Sequence, residues 1–415
     1  MANSPSERKG VRVPYSNLGS ILGEEELAVL AEVLKGDTLT VGPWRDRFEK
    51  EFVSYVDAGF AISTTSCTTA LYLASQVLGL RPGDEVIVPP CTFVATALPV
   101  LAAGAKPVFA DIDPDSFNIN PAEVADKVTE RTRAVIPVHY GGQPVDMDSI
   151  LDIAREHNLT VIEDAAHAPG ASYKGKMIGS IGDMTAFSFH TLKNMTTLGE
   201  GGMLTTNDPG IAERAVRLRT MGCGPYPNQS EPWEPFFYDT YYLEGRVGNN
   251  YRMSEAQAAV GCVQLKKLES MTRRRQEIAQ RYTEKLSEVE GVVVPKSYVQ
   301  PRQDIRSVGH IYTVLLDDAL GINRSDFLNI LYYEEGIEFH LQYKPIYLLS
   351  IFRERGYKPG LCPIAEDLFK RLVSLPIYPK MTDAMVDTAV AGVKSAVRKA
   401  QSAVKPSLPP VPGKV

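Results

Sequence analysis

Seven short runs rich in apolar and β-branched residues punctuate residues 59–207: "GFAIST", "EVIVP", "KPVFADI", "RAVIPVHY", "LTVIED", "MTAFSF" and "GGMLTTN". Helix-length segments such as "TTALYLASQVLGL" and "MDSILDIAREHN" lie between most of them. Strands without a polar face need cover on both sides, and parallel strands need long crossovers. The pattern therefore predicts an α/β chain with a mostly parallel central sheet covered by helices. No internal repeat recurs at a fixed period. In such sheets ligands sit beyond the carboxyl ends of the strands, which makes residues 89–93, 139–140, 163–167 and 189–193 the candidate site.

The sheet pattern ends near residue 222, and an aromatic-rich segment, "WEPFFYDTYYLEGRVGNNYRM", leads to Ser254. Ser254 and Gln257 form a capping-box pattern that opens a helix with apolar Ala256, Val260 and Val263. That helix is expected to run through "KKLESMTRRRQEIAQRYTEKL" into a second unit. The expected division is a flexible N-terminus at 1–12, a large domain at 13–265, a smaller C-terminal α+β domain at 266–404 and a proline-rich tail at 405–415.

With 44% hydrophobic and 23% charged residues over 415 positions, the chain has an ample core. A net charge of −6 argues against general nucleic-acid or anionic-membrane binding. Five scattered cysteines, none in CxxC spacing, argue against a disulfide scaffold or zinc site and favour a reducing, cytoplasmic setting. The start "MANSPSERKG" has no apolar secretory core. Residues 86–105 carry no charge, but Pro89, Pro90 and Pro99 fit buried strand, turn and short helix better than a membrane span.

Four features converge on the strand ends. Asp164 closes an apolar strand, where a carboxylate is costly unless it meets a cation. "STTSCTTALYLA" places hydroxyls before a helix whose N-terminal amides can seat a phosphate. Phe93 in "PPCTFVATA" can stack on a flat ring. Lys193, in "AFSFHTLKNMTTLGEGGMLTTND", is an amine that becomes nucleophilic if its pKa is lowered. Each has an ordinary structural explanation as well: an N-cap, Ser/Thr capping, a core phenylalanine, a solvated loop lysine. Together they describe pyridoxal 5′-phosphate (PLP), which has a protonatable ring nitrogen, a phosphate, a flat π-system and an aldehyde.

The motifs "LTVGP", "GDEVIVPPCTFVATA", "IPVHYGGQPVDMDSI", "VIEDAAHAPGA", "FSFHTLKNMTTLGEGG" and "NNYRMSEAQAA" carry a resemblance from about residue 13 to 382. The chain resembles the DegT/DnrJ/StrS family of PLP-dependent sugar aminotransferases, of fold type I. The resemblance implies Lys193 as Schiff-base lysine, Asp164 as acid at the pyridinium nitrogen, Phe93 as stacking ring and His167 beside the ring hydroxyl. It implies Ser188 and the amides at Cys67 and Thr68 as phosphate ligands, with Asn250 reaching the phosphate from a neighbouring subunit of a homodimer with shared sites. Relatives usually read Gly-Thr where this chain has Cys67 and Thr68, and many carry histidine where it has Tyr347. Tyr343, His310 and His340 lie where the small domain approaches substrate, and His190 adjoins the lysine. A buried structural role fits these four equally.

The implied donor is glutamate or glutamine, and the implied acceptor a nucleotide-linked 3- or 4-keto sugar. A cyclitol ketone is the alternative acceptor. A PLP- or PMP-dependent sugar dehydratase, with histidine for the lysine, and a non-catalytic regulatory protein on the same fold are the rival readings.

Overall fold

The computed structural model describes residues 10–16, 18–223 and 245–403. The expected loose ends, apart from residues 10–12, and most of the aromatic-rich segment before Ser254 lie outside them. All seven predicted strands form and join one sheet. They are β1 (Phe60–Thr64), β2 (Glu85–Val88), β3 (Lys106–Phe109), β4 (Thr132–Val135), β5 (Thr160–Asp164), and then, after a short hairpin β6 (Ser172–Tyr173) and β7 (Lys176–Met177), β8 (Met184–Ser188) and β9 (Gly202–Thr206). Their spatial order is β1-β9-β8-β5-β4-β2-β3. Pairing is parallel from β8 to β3, while β9 runs antiparallel between β1 and β8. The connection from β8 to β9 contains no crossover helix, and the chain doubles back.

Two hydrophobic layers cover the sheet. Ile62, Ile162, Ala186 and Leu204 pack under helix Cys67–Leu78. Val161, Phe187 and Met203 face helices Pro43–Val56 and Met147–His157. Because strand side chains alternate, Asp164 shares the face of Ile162, and Ser188 shares that of Ala186. The face carrying Asp164 and Ser188 is therefore the face of helix Cys67–Leu78.

The capping box forms as expected: Gln257 N donates to Ser254 Oγ at 3.3 Å and Ser254 N to Gln257 Oε1 at 3.0 Å. It opens one uninterrupted helix, Glu255–Leu286, whose buried seam runs through Ala258, Ala259, Cys262 and Leu265, with Ala256 and Val263 only half-buried. The far end of this helix packs Ile278 and Tyr282 into a third core. That core contains the antiparallel sheet of β10 (Val292–Val293), β12 (Tyr312–Leu316) and β13 (Leu372–Leu375), while β11 (Ile305–Arg306) joins the hairpin of β6 and β7. Val13 also enters the third core, pairing with Ile337. No helix of the described residues is long and apolar enough to cross a membrane.

Arg275 clamps these parts together. It is 1% exposed, and its guanidinium donates to the carbonyls of Gly19 and Ile377, each at 2.8 Å. Burial lowers its pKa to about 10, so it stays charged at neutral pH. Arg275→Ala strands two buried carbonyls and opens a cavity. We expect it to lower unfolding stability by about 2–4 kcal/mol in urea titration.

Candidate active site

A cavity of about 550 Å³ opens at the carboxyl ends of β5 and β8. Lys193, Asp164, His167, Ser188, Phe93, Cys67, Thr68 and Tyr343 all line it, as do His190, His310 and His340. Asn250 does not; it is exposed and bridges to Thr220. Tyr347 is fully buried elsewhere, with its hydroxyl on Glu366. The departure from histidine at that position is thus a core feature and not part of the cavity wall.

Two glycines make the convergence sterically feasible. Gly202 of β9 pairs with both Thr64 of β1 and Ser188 of β8. A Cβ on Gly202 would lie 2.3 Å from Ser66 C and 2.6 Å from Cys67 N, so only glycine lets the helix start meet the sheet here. Gly19 does the same for the lysine loop: its amide donates to Thr191 O at 2.8 Å, and a Cβ there would lie 2.3 Å from Lys193 O. The loop closes on itself through Lys193 N to His190 O and Thr191 N to Gly199 O.

Ser66 caps helix Cys67–Leu78 through Thr69 N. The next two amides, of Cys67 and Thr68, have no acceptor among the described residues. The thiol of Cys67 turns toward Asp164, with Sγ 4.0 Å from Oδ1, and its side chain fits without disturbing the cap. Burial and the neighbouring carboxylate hold that thiol well above its ordinary pKa.

Asp164 is 4% exposed. Thr96 Oγ1 donates to its Oδ2 at 2.7 Å and Ala166 N to its Oδ1 at 3.1 Å. Burial raises its pKa; the Thr96 hydroxyl, the Ala166 amide, Lys193 and His139 pull the other way. The Lys193 side-chain amine makes no hydrogen bond or salt bridge among the described residues, and burial lowers its pKa to about 8 against the pull of Cys67 and Asp164. Phe93 is 61% exposed, a large ring presented at the cavity with no aromatic partner among the described residues.

His167 and His310 form a second wall. Their rings stack at 4.5 Å, and burial keeps both imidazoles neutral. Tyr343 Oη lies 3.2 Å from His167 Nε2. With Tyr343 donating, the His167 proton sits on Nδ1, a buried atom that has no partner among the described residues. His310 Nδ1 donates to Asn194 Oδ1 at 2.8 Å. Asn194 and Thr96 escaped the sequence reading, and Thr92 entered it only as a member of the 89–93 strand end. The only signal for the first two was nearness in sequence, Asn194 next to the lysine and Thr96 three positions after Phe93.

A desolvated amine, a carboxylate with remaining acceptor capacity, two free helix amides and an orphaned imidazole N–H fit a ligand with an aldehyde, a ring N–H⁺, a phosphate and a ring oxygen. The fold and this site define an α/β aminotransferase. The family model described as the DegT/DnrJ/EryC1/StrS aminotransferase family matches residues 20–394, and the chain belongs to that family. The family is PLP-dependent. The spore coat polysaccharide biosynthesis protein SpsC of Bacillus subtilis is 41% identical over 394 residues, covering 94% of this chain and 98% of the relative. GDP-perosamine synthase of Caulobacter vibrioides is 39% identical over 354 residues, covering 85% of this chain and 90% of that one. The crystal structure of S. venezuelae DesV superposes with a TM-score of 0.82 at 33% identity, over 93% of this chain and 99% of that one.

The lowered amine gives a direct test. In protein without cofactor, reductive methylation of Lys193 should follow a titration centred near pH 8, two or more units below surface lysines. Asp164→Asn removes an anion that favours the ammonium and should move the midpoint lower still. Peptide mass spectrometry across a pH series reads both.

Proposed function

We propose that this enzyme moves an amino group from glutamate or glutamine to a keto-sugar, most naturally a nucleotide-linked 3- or 4-keto sugar, with PLP held by Lys193. The observation that carries the reading is the pairing of Lys193 and Asp164 in one desolvated cavity. The sugar substrate is supported by relatives named for spore coat polysaccharide and GDP-perosamine synthesis.

Bound here, PLP supplies an aldehyde that takes up the donor's amine and a ring that draws electrons from the donor's α-carbon. The chain's residues do the rest. Asp164 would hold the proton on the ring nitrogen. The amides of Cys67 and Thr68, with Ser188, would take the phosphate; Phe93 would cover a ring face and His167 Nδ1–H would serve the ring oxygen. Lys193 would hold the cofactor, and its amine, when free, would carry the proton from the donor's α-carbon. An amine poised near pH 8 suits that work, since a base is most effective with its pKa near the working pH. Tyr343 is the substrate-side residue we favour.

Asn250 would serve the phosphate of a neighbouring subunit, which makes the active form a homodimer with shared sites. The reading divides the chain into a PLP-binding domain (13–265) and a small domain (266–404) that closes the substrate side. It places the protein in the cytoplasm, in keeping with five free cysteines.

Borohydride treatment of PLP-loaded protein should leave a covalent adduct on Lys193, identified by peptide mass spectrometry. Lys193→Ala should carry none and should lose amino transfer to nucleotide-linked keto-sugars by about 100- to 10,000-fold or more. A variant that still transaminates at a comparable rate overturns the assignment, and turnover of cyclitol ketones alone would move the acceptor to that class.

Subunit sharing has its own test. Lys193→Ala and Asn250→Ala proteins, each impaired, are unfolded together and refolded at equal ratio. If Asn250 acts across the interface, half the dimers are mixed and each holds one intact site, so about a quarter of wild-type activity returns. If it acts within its own chain, none returns.

A further inference from the structure

A buried hydroxyl chain stands behind Asp164. Thr92 and Thr96 are 2% and 0% exposed, and their Oγ1 atoms lie 2.7 Å apart. Thr96 Oγ1 also lies 2.7 Å from Asp164 Oδ2 and 3.1 Å from Phe93 O. Thr96 has one proton to give, and the shorter contact to the charged acceptor claims it. Thr92 then donates to Thr96, and the two dipoles align toward the carboxylate.

We propose that Thr96, backed by Thr92, is a positioning residue for this reaction: its hydroxyl keeps the Asp164 carboxylate ionised and its remaining acceptor capacity turned to the cavity. The inference rests on the PLP reading for its catalytic consequence, though not for the hydroxyl chain itself. An anionic acid is what holds a proton on the ring nitrogen. A buried carboxylate surrendered to its own desolvation would take the proton instead, and the ring would lose its pull on electrons. Aligned hydrogen bonds in a low-dielectric site reinforce one another, which suits two threonines to that task. The geometry also couples the acid to the stacking ring, because Phe93 lies on the same turn, Val94–Thr96, and its carbonyl accepts from Thr96 N at 3.2 Å.

Other groups face Asp164 too. Lys193 comes from the β8–β9 loop, the Cys67 thiol from the helix start, His139 from beyond β4 and Tyr343 from the small-domain side. Lys193 and His139 pull the carboxylate's pKa down, burial keeps the thiol and the phenol in their neutral forms, and of the four only the distant thiol is hydrogen-bonded to the carboxylate. Thr96 and the Ala166 amide are the close donors. Of these only the hydroxyl can be removed without touching the backbone.

The experiment uses protein without cofactor, labelled with ¹³C at the aspartate carboxyl and assigned by Asp164→Asn. We expect Thr96→Val to raise the Asp164 titration midpoint by about one to two units, as loss of a hydrogen bond to a charged group implies. Thr96→Ser should restore the wild-type midpoint, and Thr92→Val should give a smaller rise. A merely structural threonine would change the unfolding temperature and leave the midpoint alone, which would overturn the proposal. If Thr96→Val fails to fold, Thr92→Val decides: an unmoved midpoint there refutes the chain. PLP affinity is measured on the same proteins. Wild-type protein that takes up no PLP refutes the cofactor reading while the titration still judges the hydroxyl chain. Wild-type that binds PLP, with Thr96→Val binding it about tenfold more weakly and losing affinity at lower acidity, supports both.

Discussion

The structure turns on the desolvation of two opposite charges in one cavity. An ammonium or a carboxylate withdrawn alone into an apolar fold costs several kcal/mol, and the usual remedy is neutralisation. Here Lys193 is eased toward its neutral form, while Asp164 is steadied by close donors and by a cation within reach. Neither charge is cancelled by a direct ion pair, so the amine remains a nucleophile and the acid remains an acceptor. A tight salt bridge would have been more stable and chemically inert.

Holding them apart in the same cavity requires backbone precision, and that comes from close packing at positions without side chains. Gly202 is simultaneously a partner of β1 and β8 and the floor under Ser66 and Cys67. Gly19 lets the N-terminal segment lie on the carbonyls of Leu192 and Lys193, and Arg275 fastens that segment to the small sheet through Ile377. The lysine loop is therefore gripped by a residue 172 positions away in sequence (Gly19 N to Thr191 O, 191 − 19), itself held by Arg275, 256 positions from Gly19. Such a contact fixes the amine more firmly than the local turn could alone, and two others tie the same loop to distant segments: His310 Nδ1 donates to Asn194 Oδ1 and Gln257 Nε2 to Glu200 O.

The strands were legible because apolar runs such as "EVIVP" and "MTAFSF" are buried on both faces, which leaves few alternatives for them. Their spatial order was not, since nothing in a single strand's residues states its neighbour. The antiparallel course of β9 was implicit only in the lack of a helical pattern between β8 and β9. Lys193 and Asp164 were legible as members of a set whose separate explanations became implausible together. Thr96 and Asn194 were invisible for the opposite reason. A hydroxyl inside "TFVATA" or an amide after a lysine carries no periodic signal, and its meaning lies in a partner 68 or 116 positions away. The exposed side chain of Phe93 would ordinarily weaken a core assignment; it is the cavity that gives it a use.

Two adjacent acids on β5 show how the fold separates structure from chemistry. Glu163 points to the other face and is held by three close donors. It accepts from Gly182 N at 2.7 Å, Thr185 Oγ1 at 2.8 Å and His139 Nε2 at 2.9 Å, and His139 is itself fixed by Val145 N on Nδ1. Asp164, one residue on, receives two close donors and a remote thiol. A carboxylate has about four acceptor sites, so Glu163 has little left to offer while Asp164 keeps capacity facing a cavity. Composition and burial are alike for the two, both being almost wholly enclosed. What distinguishes them is the number of close donors the chain supplies, three against two. An acid whose acceptor sites are filled from its own chain buttresses a fold, and one left short beside an unpaired amine is a site for something the chain does not itself provide.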